Sequence, residues 1–352
     1  MRRAGTKGFV CLLFLSSFLM IGAREASRAQ DPGPARLLQS AQASIERGAL
    51  DEAARLLEQA LAFDAGHKAA RLALSHVLIR LARLPEAEKH VQLLRDDFPD
   101  EPEPLFLSAL LAFQHGRMEQ VCALTEQGLA RGDKRAEVYK LLALAEYLLS
   151  RLEKFETHIQ AAIRLNPLDA DAHYHLGRYY FEDKRYREAL AAFQMTLKLQ
   201  PEHYRARYYS GLVREGENEG DLAKEDFQAA IEIIDRQRVR YAWPFTDLGR
   251  RLLYEGEYER AIGWFYRGVR NDPASPHAKY HYAKALFQKG AGFEVKEALE
   301  AAIRLDPGYS EAVYLLARYY QQTGEKQLAR ETFDRFEELK RNPLPSHFGL
   351  RR

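Results

Sequence analysis

Cysteine is nearly absent from this 352-residue chain: there are two, Cys11 and Cys122. Cys11 lies inside an apolar N-terminal run, so once that run is removed no intramolecular disulfide can form. An oxidising compartment is then tolerated rather than exploited. Charge of one sign is also missing. Lys and Arg number 52 against 50 Asp and Glu, which leaves no excess to drive phosphate-backbone binding. None of the four asparagines begins a glycosylation sequon. Glycine-rich phosphate loops and serine-centred elbows are lacking as well, which removes the common signatures of nucleotide and acyl-transfer enzymes. Finally, no apolar run reaches the roughly 20 residues that a membrane-crossing helix needs.

The N-terminus has a defined layout. Residues 1–23 carry Arg2, Arg3, Lys7 and no acid, followed by an almost wholly apolar run from Phe9 to Ala23. That is the arrangement of an export signal, with cleavage after Ala23 or after Ala29. Arg3 is followed by Ala4-Gly5-Thr6, which does not fit a twin-arginine signal, and Cys11 sits in mid-run, which does not fit a lipid-bearing cysteine. The expectation is an exported protein, periplasmic or secreted, with no stable membrane span after cleavage. The alternative is an uncleaved N-terminal anchor. Losing three cations leaves the mature chain close to neutral, although residues 238–352 are mildly basic.

What is present is a period. Counting from Pro34, the eighth place of successive 34-residue units holds Ala41, Ser75, Ala109, Ala143, Gly177, Gly211, Gly249, Ala283 and Ala317, if Arg238–Tyr241 is set aside as one insertion. A small residue there lets two helices approach closely. Place twenty supplies the matching surface with Ala53, Ala87, Ala189, Ala223, Ala261 and Ala329, while Val121, Phe155 and Val295 depart from it. Place twenty-four holds a large apolar residue, as in Leu57, Ile159, Phe193, Phe227 and Phe265, with Thr125 as the exception. Prolines at place thirty-two (Pro99, Pro167, Pro201, Pro273, Pro307) end the second helix of a unit.

The segments Ala172–Tyr180, Glu188–Phe193 and Leu199-Gln200-Pro201 together resemble the tetratricopeptide repeat, as do Leu248-Gly249, Tyr258, Ala261, Phe265 and Asn271-Asp272-Pro273. The resemblance covers residues 34–343. It implies an all-α, right-handed α-solenoid of about nine tetratricopeptide-like helix pairs. The expected division is a linker at 24–33, six repeats at 34–237, the insertion at 238–241, three repeats at 242–343 ending in a polar cap, and a tail at 344–352. The four inserted residues equal about one helical turn, so the second helix of unit six is expected to run on, bending the array there without breaking the domain.

The resemblance also implies a non-catalytic scaffold whose first helices line a groove that holds a partner protein or extended peptide. Groove places two, five, nine and twelve are apolar in the N-terminal third (Leu38, Leu72, His76, Ile79, Phe106, Leu110, Phe113, Leu144, Tyr147), a face that the N-terminal segment could cover. Further on they combine rings and cations, and the residues expected to contact ligand are Tyr174, Arg178, Tyr208, Arg250, Tyr280, Lys284, Tyr314 and Arg318. Cations at place nine, where the family more often carries a neutral amide, favour an acidic partner or, alternatively, an anionic polysaccharide. A chaperone-type carboxylate clamp is not expected, because Gln42, His76, Leu110 and Leu144 occupy its amide places.

Enzyme and nucleic-acid readings are weaker. His277 and His281 have metal-capable spacing but no intervening acid, so neither a metal nor any other cofactor is expected. Tyr204-Arg205-Ala206-Arg207-Tyr208-Tyr209 interleaves rings and cations as stacking platforms do, but the neutral balance and the export signal oppose a nucleic-acid partner.

Overall fold

The computed structural model describes residues 33–290 and 292–344. The expected signal, nearly all of the linker and nearly all of the tail lie outside the described residues.

Among the described residues there are eighteen α-helices and no strand. The first nine are α1 (Pro34–Glu46), α2 (Leu50–Phe63), α3 (Lys68–Arg80), α4 (Leu84–Asp97), α5 (Pro102–Gln114), α6 (Met118–Ala130), α7 (Ala136–Leu148), α8 (Leu152–Leu165) and α9 (Ala170–Glu182). The others are α10 (Tyr186–Leu199), α11 (Tyr204–Gly216), α12 (Gly220–Gln237), α13 (Trp243–Tyr254), α14 (Tyr258–Asn271), α15 (Pro276–Lys289), α16 (Phe293–Leu305), α17 (Ser310–Thr323) and α18 (Lys326–Arg341). None is long and apolar enough to cross a membrane. The chain forms two compact units, one up to Tyr179 and one from Tyr180 onward. Both sides of the insertion belong to the second.

Each unit is built in the same way. A first helix packs on its own second helix and on the second helix of the preceding pair, as α3 does on α4 and α2, and α15 on α16 and α14. The core therefore runs along the stack instead of gathering at one centre. Places eight and twenty lie at the crossing within a pair: Ala41, Ser75, Ala109 and Ala143 are fully buried, as are Ala53, Ala87, Val121 and Phe155. Thr125, the polar departure at place twenty-four, is buried too. Its hydroxyl donates to the carbonyls of Val121 (2.8 Å) and Cys122 (3.0 Å), so it enters the core with its hydrogen bond made.

In six units places eight and twenty-four compensate each other in volume; Phe333, opposed by Ala317, departs from this. Phe193, Phe227 and Phe265 are opposed by Gly177, Gly211 and Gly249, whereas Leu57, Ile159 and Leu299 are opposed by alanines 41, 143 and 283. A Cβ on Gly249 would stand 2.7 Å from the Phe265 ring, and one on Gly211 would stand 2.6 Å from Phe227. The ring occupies the space that the glycine leaves.

The turns repeat as strictly as the core. Place fifteen of all nine units is left-handed: Gly48, Ala82, Gly116, Ser150, Lys184, Asn218, Gly256, Gly290 and Gly324. The backbone N–H of the next residue, as in Arg83 to the Leu78 carbonyl and Glu257 to the Leu252 carbonyl (2.9 Å each), closes back onto the first helix. At the other end of the unit, Asn166, Gln200, Asp272 and Asp306 are forced out of the helical region by the following proline.

At the insertion, α12 extends over 18 residues where its counterparts α10 and α14 have 14. Arg238 then turns left-handed (φ 54°). The loop is held by Asn271 of the next second helix, whose Oδ1 accepts from the Tyr241 N–H (2.8 Å) and whose Nδ2 donates to the Val239 carbonyl (2.9 Å).

Candidate functional site: the first-helix faces

Adjacent first helices touch one another within each unit, α1–α3–α5–α7 in the first and α13–α15–α17 in the second. These are the faces on which groove residues stand.

The first unit's face differs from the apolar strip read from its sequence. Ile79, Phe106, Leu110, Phe113 and Leu144 are buried, not presented. The strip reading passed over Glu103 and Lys140, which occupy places two and five and are paired. Glu103 is bound by His76 Nε2 (3.0 Å) and by Arg135, which lies over the Phe106 ring and also pairs with Asp133 (2.6 Å). Burial alone would raise the Glu103 carboxyl, but His76 and Arg135 together hold it below its usual value. Lys140 is 2% exposed and pairs with Asp169 at 2.5 Å. Beside them Asp171 is pushed up to about 6, by burial first and then by Asp169, against the pull of Lys140. Tyr174 is buried and Arg178 half-buried.

The second unit's face keeps its cations in the open. Arg250 on α13, Lys284 on α15 and Arg318 on α17 hold place nine of three successive first helices and are all exposed. Lys284 stands 6.0 Å over the Tyr280 ring, which packs on Tyr309 at 5.0 Å. Tyr314 is 40% exposed and leans on Phe336 (5.1 Å) and Phe333 (6.0 Å). Tyr208 is different: it is buried, and its hydroxyl donates to the Asp247 carboxylate at 2.7 Å. It therefore acts as a support inside the wall.

Two acids were passed over in the sequence reading: Glu215, although it stands at groove place twelve of its unit, and Asp247, which lies outside the groove places. Asp247 is 3% exposed and takes Arg250 Nη1 at 2.5 Å. Burial raises its carboxyl above the usual range even though Arg250 and Tyr208 stabilise the anion. Glu215 on α11 is raised by burial and by Asp247, against Arg250 and Arg251. A single aspartate at place six carries no periodic signal, so nothing in the sequence marked it.

The histidine pair of α15 belongs to ring packing. His277 stacks on Trp243 at 4.2 Å, while His281 lies 4.3 Å from His277 and 5.9 Å from Phe265. Burial, with the charges of Arg250 and Lys284 adding to it, lowers His281 to about 3. Among the described residues no three His, Cys, Asp or Glu side chains converge as a metal site would require.

Models of the tetratricopeptide repeat match residues 44–105 and, for a second model, 156–196, 184–237, 246–292 and 296–343, together more than half of the chain. The chain belongs to the tetratricopeptide-repeat family. Members of this family are scaffolds that mediate contacts between proteins. Among proteins similar in sequence, anaphase-promoting complex subunit 3 of Schizosaccharomyces pombe is 23% identical over 250 residues, 70% of this chain and 37% of that protein. The tetratricopeptide-repeat-containing protein YpiA of Bacillus subtilis is 24% identical over 280 residues, 69% of this chain and 66% of that one. The chain thus spans about one third to two thirds of these relatives. In structure it resembles the APC/C hetero-tetramer Cut9–Hcn1 (TM-score 0.61, 14% identity, 81% of this chain and 55% of that chain). It also resembles pilF of Pseudomonas aeruginosa (TM-score 0.52, 18% identity, 64% and 97%). At such identities the likeness establishes the tetratricopeptide-repeat fold and nothing finer.

Proposed function

We propose that this protein is an exported, non-catalytic scaffold that binds an acidic segment of a partner protein along the first-helix face of its second unit. The observation that carries the reading is the state of Lys284 and Arg318. They hold the same place one repeat apart, are exposed, and have no carboxylate within ion-pairing distance among the described residues. Long cations left unneutralised beside Tyr280 and Tyr314 suit carboxylates presented on an extended chain. Export rests on the basic and apolar pattern of residues 1–23. It is read by the intact mass of the protein recovered from expressing cells, where a full-length soluble chain would remove that part of the proposal.

A fluorescein-labelled hexaglutamate peptide and a polyuronate hexamer of equal charge serve as probes. The peptide is expected to bind the native protein more tightly than the sugar. Lys284→Ala with Arg318→Ala should weaken it by about tenfold or more, in line with the loss of charge-assisted contacts. Equal binding by the double variant would remove both residues from the site, and preference for the polyuronate would turn the assignment to a polysaccharide.

A further inference from the structure

The three exposed cations at place nine are not equivalent. Arg250 alone already has a carboxylate, that of Asp247 one turn earlier on α13, at 2.5 Å. That carboxylate is part of the wall and not of the solvent. It is 3% exposed, its second oxygen accepts the Tyr208 hydroxyl at 2.7 Å, and Tyr208 is itself buried against Tyr209, Phe227 and Tyr241. An anion so fixed cannot swing away from Arg250, and an exposed guanidinium held by a buried carboxylate has less to offer a second one. Glu215 of α11 is within electrostatic reach of the same pair: Asp247 raises its carboxyl and Arg250 lowers it. On α15 the facing groups are Lys284 and the neutral His281, and on α13 the remaining one is Arg251, which pairs with Glu255 at 2.9 Å.

We infer that Asp247 is a built-in competitor: it occupies Arg250 as a ligand carboxylate would, so that acidic partners are taken by Lys284 and Arg318 and rejected one repeat earlier. The inference rests on the proposed binding of acidic segments by this face. It makes Asp247 a specificity-determining residue that never touches the ligand, and it sets one end of the binding register.

The test uses the full chain and labelled hexaglutamate at pH 7.5 and low salt. Arg250→Ala, with circular dichroism and a thermal melt to show that the helices survive the loss of the Asp247 partner, is expected to alter affinity by less than twofold, while Lys284→Ala weakens it severalfold. Asp247→Asn keeps an acceptor for Tyr208 and removes the charge. Combined with Glu215→Gln it is expected to tighten binding about five- to tenfold by releasing Arg250, and adding Arg250→Ala should cancel the gain. If Arg250→Ala weakens binding as much as Lys284→Ala, Arg250 is already engaged by ligand and the inference is overturned while the proposed function stands. If neither the native chain nor the Asp247→Asn, Glu215→Gln variant binds the peptide, both fall.

Discussion

Truncation of Phe265 to alanine is expected to destabilise the second unit by about 3–5 kcal/mol, the range for removing a fully buried aromatic ring and leaving a cavity. The ring is inaccessible to solvent and fills the space opposite Gly249. A sharper result comes from the reciprocal change. Gly249→Ala alone places a methyl 2.7 Å from that ring and should cost about 1–3 kcal/mol by overpacking. In the Phe265→Ala background the same methyl enters the cavity, so Gly249→Ala should become neutral or favourable. The two changes must therefore couple, in contrast to the additive behaviour of distant sites. Urea denaturation combined with amide hydrogen exchange along α13–α16 reads the cycle. Additive losses would mean that places eight and twenty-four do not share one space.

Acidification gives the second large effect. The ordinary histidine value is 6.5, and His281 in the folded chain is lowered to about 3 by burial. Below pH 6.5 the unfolded chain takes up a proton that the folded one refuses until about pH 3. Stability contributed by neutral His281 is therefore complete above pH 6.5 and is lost as pH falls toward 3. At 1.36 kcal/mol per unit, discounted for relaxation, the loss is on the order of 3 kcal/mol. His203, lowered to about 4 by burial, acts in the same direction in the same unit. His281→Phe keeps a ring against Phe265 and removes the proton, so thermal melts at pH 7.5 and pH 4.5 should differ less in the variant than in the native chain. An identical acid loss in both would show that His281 takes up its proton without unfolding. Asp171 of the first unit has the opposite sign: its carboxyl, raised to about 6, costs stability above that pH and is relieved as pH falls toward its ordinary 3.8.

Residues that act by size were legible in the sequence, because a contact distance repeated every 34 residues leaves a mark at Ala41, Ala53 and Leu57 and again in most later units. The left-handed turn residue was half visible. Gly48, Gly116, Gly256, Gly290 and Gly324 announce it, but Ala82, Ser150, Lys184 and Asn218 adopt the same conformation without a glycine. Charged residues in the wall were not legible. Lys140 and Asp247 have the composition of a solvated helix face, and only their partners, Asp169 in one case and Tyr208 with Arg250 in the other, reveal that they are buried. The same blindness made the first unit's face seem an open apolar strip. Its large side chains are interior, and Glu103 and Lys140 are tied into ion pairs.

The measurement that bears most directly on the central claim, that first-helix faces are the working surface of this stack, is photo-cross-linking in the producing cell. Benzoylphenylalanine is placed one position at a time at 284 and 318 on α15 and α17, and at 260 and 304 on the exposed sides of α14 and α16. The account predicts one shared adduct from positions 284 and 318 and none from 260 or 304. Adducts confined to the second-helix positions would contradict it.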